Sequence, residues 1–109
     1  MRRGRGTACR GAMVMTRQYL VGELSVLLAR LQAAAGDQAS AGDIARLRQE
    51  EETVPVTALT SVVFRALELT DVVCWDSLTY GDTTAVACQA AIGAQLLEFG
   101  VCAGLLPEV

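Results

Sequence analysis

Apolar residues recur along this chain at spacings of three and four, a period that gathers side chains onto one face only in a helix. Leu20, Leu24, Leu27, Leu28, Leu31, Ala34 and Ala35 form the first such stripe and predict a helix over residues 17–35. Thr16 stands where an N-cap is needed, Gly36 where a helix stops, and Arg17, Glu23 and Arg30 fall off the stripe. A second helix is expected over 41–52, with Ser40 and Asp43 spaced as a capping box. Its apolar face is thin (Ile44, Ala45, Leu47), and it ends on Glu50, Glu51 and Glu52, where the helix dipole disfavours acids. This helix is therefore expected to be the most exposed of the set, with the acidic triplet in water.

Pro55 suits a first helical turn. Beyond it Leu59, Val62, Val63, Ala66, Leu67, Thr70, Val73, Cys74 and Ser77 keep helical spacing and predict a third helix over 56–80. Gly81 ends it and Asp82 caps a fourth, over 83–99, which carries Val86, Ala87, Ala90, Ala91, Ala94 and Leu97. Ala87, Ala90, Ala91, Gly93 and Ala94 read as one small-residue face that another helix can approach closely. After Gly100, residues 101–106 are apolar and are expected to dock as a further turn. The fold predicted is all-α, a small four-helix antiparallel bundle with a short C-terminal turn. The run from Trp75 through Leu78, Gly81 and Asp82 to Val86 resembles one helical hairpin of the tetratricopeptide repeats. No second copy follows at a period of about 34 residues, so the resemblance implies a helix hairpin and nothing more.

Composition agrees with helices. Of the 109 residues 52% are apolar but only 5% aromatic, so the core is expected to be built from small and medium aliphatic side chains. The length suits a single domain, here residues 16–109 behind a disordered leader of residues 1–15. All nine basic residues are arginine, a usage expected of GC-rich bacterial coding. Four of them (Arg2, Arg3, Arg5, Arg10) lie in the leader, while residues 13–109 set five arginines against twelve acids, a balance of −7. An acidic body repels polyanions, so nucleic-acid binding would have to rest on the leader alone. The leader lacks the apolar stretch of a secretory signal, and the charge-free run 83–97 is shorter than the roughly 20 residues a bilayer requires. Cytoplasmic residence without membrane insertion is the expectation, with cysteines reduced.

The candidate chemistry is sparse. The chain has no histidine, lysine or asparagine, which removes the commonest general base, the Schiff-base amine and the usual metal-binding nitrogen. Cys74, Cys88 and Cys102 recur every fourteen residues, without the close pairs that structural zinc sites use. Cys74 and Cys88 are expected inside helices as small hydrophobes; Cys102, or else Cys9, is the candidate reactive thiol. Glu68 and Asp71 share a helix face, but carboxylate-bridged metal centres in bundles draw on Glu-x-x-His pairs that cannot exist here. No catalytic residue, metal or cofactor is therefore assigned.

Phe64 and Phe99 are expected in the core. Trp75 and Tyr80 near the hairpin tip, with Ala87, Ala91 and Ala94, are the candidate interaction residues. Three functions remain in play. The first is a non-enzymatic interaction or regulatory module that binds a protein partner or itself as a homodimer. The second is a small-ligand-binding bundle with a pocket near Trp75 and Cys74; the third is a nucleic-acid accessory that uses the arginine leader.

Overall fold

The computed structural model describes residues 16–107; the leader, and with it Cys9, lies outside them. Four helices follow in order: α1 Arg17–Ala35, α2 Ser40–Glu51, α3 Leu59–Thr79 and α4 Thr83–Cys102. They close a ring in which α1 packs on α2, α2 on α3, α3 on α4 and α4 back on α1, with only slight contact between α1 and α3. Short connections make sequence neighbours antiparallel, so the all-α antiparallel bundle is the fold.

Local chemistry sets most of the boundaries. The Thr16 hydroxyl accepts from the Tyr19 amide at 3.1 Å, and Asp82 accepts from the Ala85 amide at 3.0 Å, each satisfying an orphan donor at a helix start. Gly36 and Gly81 take positive φ, 58° and 74°, and end α1 and the α3 turn. The expected capping box at α2 does not form. Ala39 is the N-cap and makes no side-chain bond; Ser40 is already helical and buried, and Asp43 pairs with Arg46 instead. Residues Val56–Ala58 form a 3₁₀ turn before α3 begins, and Pro55 precedes that turn in an extended conformation (ψ 162°), outside the first helical turn expected for it.

The fourth helix runs three residues past its expected end, through Gly100 to Cys102. The chain then folds back at Gly104 (φ 75°), and the amides of Leu105 and Leu106 donate to the Gly100 carbonyl at 2.8 and 3.0 Å. Thr60 reinforces this return by donating to the Leu105 carbonyl at 2.9 Å, and Leu106 is buried. Gly100 is required here: a Cβ on it would lie 2.5 Å from Leu106 Cδ1 and 3.2 Å from Val63 Cγ1.

The core is a single cluster drawn from every helix. Leu20, Leu24, Leu28 and Leu31 enter from α1, Ile44 and Leu47 from α2, Leu59, Val62, Val63, Ala66 and Val73 from α3, and Ile92 and Leu96 from α4. Each fully buried leucine stabilises the fold by roughly 1.5–3 kcal/mol relative to an exposed one. The second helix is thus no loosely held member. Ile44 and Leu47 are wholly buried, and the Arg17 guanidinium clamps the segment after the helix by donating to the Glu52 and Val54 carbonyls at 3.0 and 2.7 Å.

Three placements correct the sequence expectations. Phe64 is 50% exposed, since Val62, Val63 and Ala66 occupy the inward positions of that turn. Cys88 is exposed, because the inward line of α4 is Gln89, Ile92, Leu96 and Gly100. Glu51, expected in water with its acidic neighbours, is fully buried.

Candidate functional site

The candidate interaction residues divide between two outer faces. On α3 the inward line Leu59, Val62, Val63, Ala66, Thr70, Val73 and Ser77 leaves Phe64, Val72, Trp75 and Leu78 pointing outward. Trp75 is 69% exposed, and Tyr80 just beyond it is still more exposed. Phe64, Glu68, Asp71, Trp75 and Leu78 succeed one another at alternating spacings of four and three, so they form one continuous outer ridge. All five are exposed.

On α4 the expected small-residue face is split. Gly93 turns toward α3, where a Cβ would stand 2.9 Å from Thr70 Cγ2, and this is the close approach its lack of a side chain permits. Ala87, Ala91 and Ala94 are exposed, as are Cys88 and Leu97. Among the described residues α4 is the helix long and apolar enough to cross a membrane by length and composition, and most of it is not buried within the bundle.

Of the cysteines among the described residues, Cys74 and Cys88 are free, and Cys88 is exposed. Burial, with the Asp71 carboxylate nearby, pushes the Cys74 thiol above its ordinary value, so thiolate is scarce at neutral pH. Cys102, the candidate reactive thiol, is partly buried and disulfide-bonded, an oxidised form with no sulfhydryl to act as nucleophile. Among the described residues no three of the Cys, Asp and Glu side chains gather as a metal site would require.

The polar groups that matter most inside the bundle escaped the sequence reading. Gln89 is buried, and its Nε2 donates to the Ala34 carbonyl at 2.9 Å, tying α4 to the end of α1. Gln38, in the α1–α2 turn, donates from Nε2 to Ser77 Oγ at 3.0 Å and to the Val73 carbonyl at 3.3 Å, tying that turn to α3. Both amides leave a buried oxygen unpartnered.

Glu51 is the extreme case: both carboxylate oxygens are buried, and the nearby Ser25 hydroxyl falls short of hydrogen-bond geometry with either. Burial pushes its carboxyl up to about 7, and Glu52 adds to the shift. Ser25, Arg48 and Arg17 favour the charged form without offsetting burial. The helical phase signals this placement, because Ser40, Ile44, Leu47 and Glu51 follow at spacings of four, three and four.

No family model, no curated protein and no solved structure matches the chain. Its function is therefore argued from its own surface.

Proposed function

We propose that this protein is a non-enzymatic helical interaction module that packs against protein partners, a second copy of itself included, through the outer faces of α3 and α4. The observation that carries this reading is the row of large apolar side chains left outside on α3, with Trp75 69%, Phe64 50% and Val72 50% exposed. Aromatic side chains are the usual anchors of protein interfaces, and a helix that holds several outside a well-filled core offers a ready contact surface.

Self-association has its own support. Ala87, Ala91 and Ala94 leave the outer face of α4 low enough for a like helix to approach closely, and that apolar helix is mostly uncovered. In this reading the module needs no cofactor or metal and works by surface fit; the oxidised Cys102 runs against the reduced cysteines expected of a cytoplasmic protein. Light scattering over a wide concentration range tests the self-association, and Ala91→Arg is expected to shift the protein to monomer without unfolding it. A chain that stays monomeric at every concentration removes the homodimer.

A further inference from the structure

The outer ridge of α3 is apolar at both ends and acidic in the middle. Phe64 lies at one end, Trp75 and Leu78 at the other, and Glu68 with Asp71 between them. Arg65 lies beside the ridge and pairs with neither acid; the ion pair among the described residues is Arg46 with Asp43.

This order decides which partner fits. A second copy matches apolar to apolar only by running antiparallel, with Phe64 of one copy over Trp75 of the other. The two-fold axis then passes between Glu68 and Asp71 and brings four carboxylates together, an arrangement that like charges oppose. A segment with cations at its centre and apolar side chains at both ends meets no such opposition. The described residues set five arginines against eleven acids, so the field of the whole domain draws a basic segment in and repels an acidic one.

We infer that the α3 ridge docks a basic amphipathic helix of another protein, whose apolar positions cover Phe64, Trp75 and Leu78 while its arginine or lysine side chains meet Glu68 and Asp71. This rests on the interaction-module reading and names the partner class for one of its two faces. The α4 face remains the one suited to a second copy.

Trp75 is the sole tryptophan, so its fluorescence reports this face directly. The test titrates the full chain with a synthetic amphipathic helix bearing leucines on one face and arginines between them. Controls are the same peptide with glutamate for every arginine, and a scramble of the arginine peptide. The arginine peptide is expected to shift the Trp75 emission and bind at least about tenfold more tightly than either control. Glu68→Gln combined with Asp71→Asn is expected to weaken it about tenfold. Trp75→Ala, followed by calorimetry, is expected to weaken it about a hundredfold.

Equal binding of the arginine and glutamate peptides overturns the charge argument and leaves the interaction-module reading standing. Equal binding of the scramble reduces the effect to non-specific attraction and overturns the docking site. Binding by none of the peptides overturns the proposal, and joined with a protein that stays monomeric it overturns the interaction-module reading as well. Two further results assign the ridge to other occupants and overturn the inference. One is a Trp75 emission shift in the peptide-free chain when Arg2, Arg3, Arg5 and Arg10 are changed to glutamine, which gives the ridge to the leader. The other is a peptide-free dimer dissolved by Trp75→Ala, which gives it to a second copy.

Discussion

At the end of α2, packed toward α1, a glutamate is sealed in the core; on the outer ridge of α3 a tryptophan stands in water. Hydropathy alone would exchange these two residues. Their positions follow from helical phase: Glu51 continues the inward line of Ile44 and Leu47, and Trp75 falls outside the line of Thr70, Val73 and Ser77. Helix packing carries whatever residue occupies an inward position into the core, and hydropathy then sets only the cost. The buried acid therefore weakens the fold in a pH-dependent way, whereas the exposed aromatic costs the fold little and remains available to a partner.

The sharpest way to break this contrast is to remove the charge from its inner member. The folded-state pKa of Glu51, about 7, lies above its ordinary 4.5, so the folded protein prefers the protonated acid. Its contribution to stability is complete below the unfolded value and is lost as pH rises through the folded one. Urea unfolding is expected to show up to about 3 kcal/mol lost between roughly pH 5 and pH 8. Glu51→Gln removes the titration, flattens that slope and leaves the variant more stable than the parent at the alkaline end. Parallel pH profiles for the two proteins would place Glu51 in contact with water.

The same distinction between inner and outer positions applies to the smallest residues. Gly100 faces inward beneath Leu106, and Gly100→Ala must push the Leu106 side chain out of its site, at a cost of about 1–3 kcal/mol. Hydrogen exchange is expected to locate the damage at the Leu105 and Leu106 amides, which lose their bonds to the Gly100 carbonyl. Ala91, one face round on the same helix, should accept a larger side chain with little change in unfolding. A Gly100→Ala protein with unchanged exchange at those amides would show that the C-terminal return is not held by this contact.

How far the sequence disclosed this molecule follows from the same distinction. Helix number and order were legible because the leucine stripe of α1 and the inward line of α3 are periodic over many turns, and a single helix phase accounts for each. The caps Thr16 and Asp82 were legible because capping is local chemistry. Residue type misled at Phe64, placed inside for its hydrophobicity although it lies next to Val63 and on the other side of the phase. It misled again at Glu51, placed outside for its charge, and at Cys88, placed inside as a small hydrophobe. Gln38 and Gln89 were not legible at all, because their partners are backbone carbonyls on other helices, and tertiary packing alone brings these within reach. The candidate surface is half legible: aromatic type marks Trp75 and small size marks the α4 alanines, but the alternation of apolar and acidic positions on the ridge depends on Phe64 lying outside, which hydrophobicity conceals.

The smallest effect on folding is expected at the outer member of the pair, and that smallness is itself informative. A half-exposed or more exposed side chain on a helix surface contributes little to unfolding, so Trp75→Ser should move the urea midpoint by no more than about 0.5 kcal/mol of stability. The indole ring stands apart from the core cluster, and the outward orientation of its turn is maintained by Val73 and Ser77 on the opposite side of α3. If Trp75→Ser instead costs as much as deletion of a core leucine, roughly 2–5 kcal/mol, then the tryptophan is covered in solution and the ridge is part of the fold. If stability is unchanged while the arginine peptide no longer binds, Trp75 is held outside for contact with a partner. The comparison with Glu51 then becomes one between a residue that helical phase forces inward against its chemistry and one whose chemistry is used because the same phase keeps it out.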